Sequence, residues 1–235
     1  MLMSTPRTPG HIWRRLRKDT RGLAGIEFAL VVSALLLMLL GLCDVVPTFL
    51  AYTHNSNSAS TAADTAGQFV KMQSSDMVNV YSAASDVLAP FSSATQNLRI
   101  TNVFSDGNGN AKVYWSCGIG SLPPYTALSA VTSTPNGVDQ TKFLYLYNIY
   151  AGVWLNGTNT SYIVVESTYT YTAPTQFVLK NAMPMKGISY YLPRSSSYVG
   201  FPWDGNPNDS PTVPTAATHS SSMTLSNGVT CSYAY

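Results

Sequence analysis

The chain has 235 residues, of which 45% are apolar and only 10% charged; that is too apolar for a disordered chain, and too short for more than one large domain beyond a leader and a membrane span. Its net charge of +2 conceals an asymmetry, because residues 1–22 carry Arg7, Arg14, Arg15, Arg17, Lys18 and Arg21 against Asp19 alone, and carboxylates outnumber cations after them. The basic character belongs to one short segment, so it gives no ground for nucleic-acid binding by the folded part and reads as a topology signal beside an apolar stretch.

That stretch follows at once. Residues 28–43 (FALVVSALLLMLLGLC) carry no charge, and extending the run to Leu23 and Val46 gives 24 residues, about 36 Å of helix at 1.5 Å per residue. A hydrocarbon core of about 30 Å is crossed by such a helix with some tilt. The cations on its N-terminal side place residues 1–22 in the cytoplasm as a basic leader, 23–46 in the membrane and the rest outside. A cleaved secretory signal has a shorter apolar core and small residues at its cut; Leu42-Cys43-Asp44 supplies neither that site nor the small residue a lipoprotein signal needs before its cysteine. Arg14-Arg15 alone is weak support for a twin-arginine signal. An uncleaved anchor, or a cut on the cytoplasmic side of the span, fits better.

Glu27 sits about one turn into the apolar run, where an ionisable group costs a few kcal/mol unless it reaches water or a partner. Read alone, it is an interfacial carboxylate. It also lies five residues after Gly22, which stands directly behind the basic leader, and Phe28 follows it.

Residues 21–28 (RGLAGIEF) resemble the processing site of type IV pilin-like proteins. The resemblance implies that an aspartic prepilin peptidase cuts between Gly22 and Leu23 on the cytoplasmic face and leaves the helix in the membrane. Cleavage would create an α-ammonium at Leu23, and the Glu27 carboxylate would pair with the ammonium of a neighbouring subunit, offsetting the desolvation of both charges and setting axial register. Within that superfamily, Arg14, Arg15, Arg17, Arg21, Gly22, Glu27, Phe28, Ala29 and Leu30, then the leucines, Gly41 and Asp44, look like the TadE-type segment of pseudopilins, or minor pilins, from tight-adherence (Flp) pilus loci. That likeness covers about 35 residues. The remainder resembles the family more loosely, through an alanine-rich helix, strands and a tyrosine-rich stretch around 166–174. Major Flp pilins are much shorter.

Beyond the span, Pro47 is expected to kink the helix, since it cannot donate to the Cys43 carbonyl. Phe49, Tyr52, Ala59, Ala62, Ala63, Ala66, Phe69 and Val70 then recur at helical spacing with a narrow, alanine-rich face. This face packs either on the chain's own sheet or on a neighbouring subunit. A second short helix is expected over 75–89, with Met77, Val80, Tyr81, Ala84, Val87 and Leu88 on one side and Pro90 after it; together the two make a helical region over 47–90. From 91 to 235 the pattern is β-rich. Residues 98–104 and 111–116 flank the turn signal Asp106-Gly107-Asn108-Gly109 and read as a hairpin. Runs at 143–155 and 161–172 read as strands separated by a turn at 156–159, with a short strand at 175–179, a loop-rich region at 193–222 and a last strand around 222–233. The expected fold is α+β: a long N-terminal transmembrane helix continues into an extracytoplasmic helix packed on an antiparallel sheet of four to six strands. That shape resembles pilins.

Cys117 and Cys231 both fall in the exported part, where thiols oxidise. Paired, they would close a loop of more than 110 residues and contribute about 2–4 kcal/mol; otherwise they are two buried thiols. The residues carry no recognisable catalytic set: H-E-x-x-H, G-x-S-x-G and C-x-x-C are all missing, and the three histidines lie far apart in sequence. Asp106-Gly-Asn-Gly-Asn110 alternates oxygen ligands as some calcium loops do, but it lacks a downstream bidentate glutamate. The fifteen tyrosines suit an adhesive face or ordinary strands. Neither enzyme activity nor a cofactor or metal is expected.

Two functions remain at this level. By the resemblance, the chain is a pseudopilin of the bacterial inner membrane, with its C-terminal domain periplasmic. Its partners would be the prepilin peptidase, other pilin and minor-pilin subunits, the inner-membrane assembly platform and the lipid bilayer, and its role assembly of a tight-adherence pilus in adhesion and biofilm formation. The rival is an uncleaved single-span protein whose periplasmic domain binds a ligand or wall component.

Overall fold

The structure, a computed structural model, describes residues 22–105, 111–130, 161–203 and 217–235. All of the leader but Gly22, the hairpin turn at 106–110, the strand at 143–155, the turn at 156–159 and residues 204–216 of the loop-rich region lie outside the described residues.

Helix α1 (Leu23–Gln68) is 46 residues long, about 69 Å at the standard rise. Pro47 lies inside it and does not end it; one missing N–H leaves the rest of the ladder intact. The helix is long and apolar enough to cross a membrane. Its second half buries a stripe of small residues, Ala51, Asn55, Ser58, Ala59, Ala62, Ala63 and Ala66, at the three- and four-residue spacings of one helical face. Helix α2 (Ser74–Val87) turns back along it. Its start is fixed by a reciprocal cap in which Asp76 accepts from the Gln73 N–H at 2.9 Å. It buries Met77, Val80, Tyr81 and Ala84. The Tyr81 hydroxyl donates to the Cys117 carbonyl at 2.6 Å, and burial pushes its pKa up, so it stays a neutral donor.

Among the described residues six strands form one antiparallel sheet. They are β1 (Asn97–Ser105), β2 (Ala111–Gly118), β3 (Ser161–Tyr171), β4 (Met183–Tyr191), β5 (Ser220–Thr224) and β6 (Thr230–Ala234), in the order β4-β3-β1-β2-β6-β5. The fold is α+β, with both helices on one face. Leu98, Ile100, Ile163, Val165, Cys117 and Cys231 alternate onto that face and meet the alanine stripe and α2 in one core. A bulge opposite Asn102 and Val103 places both Tyr114 and Trp115 in the same core. Cys117 faces Cys231 across β2 and β6, and the two are joined by a disulfide. On the opposite face, Arg99 and Glu166 form a buried ion pair of 2.6 Å, with the guanidinium 3.7 Å above the Tyr125 ring.

Three sequence expectations are corrected. Residues 175–179 are a bent connection rather than a strand, because their N–H groups turn onto a carboxylate of α1. The last strand around 222–233 is two strands, β5 and β6, divided at Asn227-Gly228, where Gly228 has φ +81°; β5 starts at Ser220, inside the stretch expected to be loop. The expectation also lacked β4. Pro184 and Gly187 within it are strand breakers by composition, but an edge strand tolerates a proline. Gly187 faces Ser167 on β3: a Cβ there would lie 2.6 Å from Ser167 Oγ, with Asn55 Nδ2 of the helix at an ordinary contact distance of 3.4 Å.

Candidate functional site

The apolar run from Leu23 to Val46 becomes the free half of α1. Ile26, Phe28, Leu30, Val31, Leu35 to Leu40, Leu42, Val45 and Val46 are all exposed, Phe28 by 70%. In a chain folding in water these are the first residues to be buried. The described residues leave these side chains uncovered, on a helix long and apolar enough to cross a membrane.

At the start of this half, Gly22 is the N-cap residue, with φ −86° and no side-chain cap. Among the described residues a Cβ at Gly22 would meet nothing within 4 Å, and its φ is one that any residue adopts. Leu23 opens the helix, and Glu27 follows four residues later, on the same face one turn on. Glu27 is exposed and makes no hydrogen bond or ion pair among the described residues. The segment therefore places one unsatisfied carboxylate beside the helix start, with uncharged side chains from Phe28 to Cys43 following it.

At the other end of the run stands Asp44, whose role the sequence did not disclose. It is completely buried. The β3–β4 connection wraps it: Oδ1 accepts from Thr175 N at 3.1 Å and Thr175 Oγ1 at 2.6 Å, while Oδ2 accepts from Val178 N at 2.9 Å and Leu179 N at 3.5 Å. A carboxylate with both oxygens bonded is held in charged form without a cation. Val178 also packs on the helix backbone, since a Cβ at Gly41 would lie 3.6 Å from its Cγ2. The sequence signal was a lone carboxylate closing an apolar run; its partners lie 131 to 135 residues away.

The remaining chemistry is sparse. Cys43 is a free, exposed thiol on α1. Cys117 and Cys231 belong to the sheet core and do not join the segment at 22–28. His54 is committed to the Val87 carbonyl at 2.9 Å and to the edge of Phe91, which ties α1 to the end of α2. A cleft of about 220 Å³ lies between Tyr81, Ser85, Gln96 and Asn227; its one phenol is already bonded to backbone carbonyls. Among the described residues no group of three or more His, Cys, Asp or Glu is placed to hold a metal ion.

No family model, no curated protein and no solved structure matches this chain.

Proposed function

We propose that the chain is a minor-pilin-like subunit, a pseudopilin of the tight-adherence type, that is processed by a prepilin peptidase and acts mechanically in pilus assembly. The observation that carries the reading is Glu27: a carboxylate without a partner among the described residues, one turn inside an exposed apolar helix that continues into a folded head. A lone charge at that depth costs a few kcal/mol in a membrane, and the cost is offset when a second subunit brings a cation. The α-ammonium released at Leu23 by cleavage after Gly22 is such a cation, and it arises one turn from the carboxylate. Gly22 adds support because no described residue packs where its side chain would be, while a peptidase subsite that admits no side chain would require a glycine there.

In this reading the Gly22–Leu23 bond is substrate, Glu27 and Phe28 are assembly contacts, the helix from Leu23 to Val46 joins the bundle of other pilin subunits above the assembly platform, and the head faces the periplasm or the pilus surface. The test is N-terminal sequencing of the membrane-extracted protein from cells with and without their prepilin peptidase. A start at Leu23 only when the peptidase is present supports the reading, and Glu27→Ala is then expected to leave cleavage intact while abolishing incorporation. A start at Met1 in both strains overturns it and leaves a single-span protein whose head binds a ligand.

A further inference from the structure

The β3–β4 connection has features that the assembly reading does not use. It leaves the sheet at Tyr171 and rejoins it at Met183, and at its tip Phe177 is 47% and Val178 49% exposed. Lys180 beside them is exposed too. Val178 and the backbone N–H groups of the tip meet Gly41 and Asp44 on α1, while Leu179 packs back on the cluster of Ala51, Leu88, Tyr169 and Tyr171; Asp44 lies about 32 Å along the helix from Leu23. A hydrocarbon core of about 30 Å that begins near Leu23 ends at that level. The exposed apolar surface of Leu42, Val45, Val46 and Phe49 on α1 lies on the turns adjoining the contact.

Irregular backbone at the edge of a bilayer is tolerated only if its polar groups are satisfied within the protein. Asp44 does this: it takes the N–H groups of Thr175, Val178 and Leu179, leaving Phe177 and Val178 to project their side chains. The same bonds hide the carboxylate itself. Resting on the membrane-spanning reading of α1, we propose that residues 175–180 form a second membrane contact: Phe177 and Val178 insert at the headgroup–acyl boundary of the outer leaflet, Lys180 reaches lipid phosphates, and Asp44 locks the tip to the span. An apolar tip beside a snorkelling lysine suits such an interface, and it would fix the tilt and rotation of the head above the membrane.

The test uses the full chain with Cys43→Ser, one copy per phosphatidylcholine nanodisc, so that no neighbouring subunit can cover the tip. An environment-sensitive fluorophore is attached at Phe177→Cys, at Leu35→Cys in the span, or at Ser195→Cys. Ser195 follows Arg194, whose N–H bonds the Gly67 carbonyl at the far end of α1, about 35 Å beyond Asp44. The label at 177 is expected to emit at shorter wavelength than that at 195, to be quenched by lipids bearing a nitroxide high on the acyl chain, and to be shielded from aqueous iodide. Adding Asp44→Asn is expected to reverse these three signals at 177 while leaving 35 unchanged. The proposal is overturned if the label at 177 behaves as the one at 195 does while the label at 35 is quenched by deep nitroxides. If the label at 35 also stays in water, the spanning reading fails first, and the proposal with it.

Discussion

The two halves of α1 invert one another. In the first, the large side chains point outward, with Phe28 at 70% and Met38 at 68% exposure; in the second, Ala59, Ala62, Ala63 and Ala66 are at 0%. A helix on a soluble domain buries its large residues and exposes its small or polar ones. Here one continuous helix carries two kinds of surface. Large apolar side chains gain from a surrounding apolar phase and need no shaped partner, whereas alanines let the chain's own sheet lie close against the helix. Exposure in the first half therefore marks a surface that the described residues leave uncovered, and smallness in the second marks where the chain itself has come close. The open choice for the alanine face, own sheet or neighbouring subunit, goes to the chain's own sheet for Ala59 to Ala66.

If the halves are energetically separate, changes in the head should leave the span unaffected, and the reverse. The largest effect is expected from the buried ion pair. Glu166→Gln leaves Arg99 charged and buried without its carboxylate, which should cost about 3–5 kcal/mol. Chemical unfolding of the detergent-solubilised chain, followed by tryptophan emission, measures this, and helicity of the span should persist through that transition. Removing the disulfide with Cys117→Ser and Cys231→Ser together is expected to cost about 2–4 kcal/mol in the same measurement, and reductant should produce the same loss in the wild type but no change in the double variant.

A more direct comparison exchanges leucine and alanine between the halves. Ala62→Leu overfills the contact between helix and sheet and should cost about 1–3 kcal/mol; Leu39→Ala, in the exposed half, should leave head unfolding unchanged. A comparable loss from both would show that the halves are coupled. The smallest and most local effect belongs to the boundary. Asp44→Asn replaces one acceptor oxygen by an NH₂, so two of the four donors at 175–179 lose their partner. Faster amide exchange confined to those residues is expected, with the unfolding midpoint of the head unchanged; exchange spreading into β3 and β4 would make Asp44 part of the head's core.

What was legible in the sequence was carried by local patterns. The β1–β2 hairpin showed in its alternation, α2 in its four buried positions, and the first half of α1 in a run whose length matches a bilayer. Gly22, Glu27 and Phe28 stood out because the spacing of a charge from a glycine needs no fold to be read. What escaped depended on partners distant in the chain. Strand β4 reads as irregular because Pro184 is permitted by an edge position and Gly187 sits against the Ser167 side chain of β3, and both facts exist only once the sheet is assembled. The β5–β6 hairpin is a different miss: Asn227-Gly228 was a turn signal, and a single longer strand was read across it.

By itself, then, the sequence determined which part of the chain avoids water, which end carries the cations and where the backbone changes from helical to extended period, since each follows from side chains within a few turns of one another. Only the tertiary structure decided that the alanine face belongs to the sheet, that Arg99 meets Glu166 across neighbouring strands, and that Asp44 is closed by backbone N–H groups more than a hundred residues away. The physical reason is the same for all three: a buried polar group or a close backbone approach is stable only when its partner arrives, and the partner is chosen by strand order and register, which local periodicity does not encode.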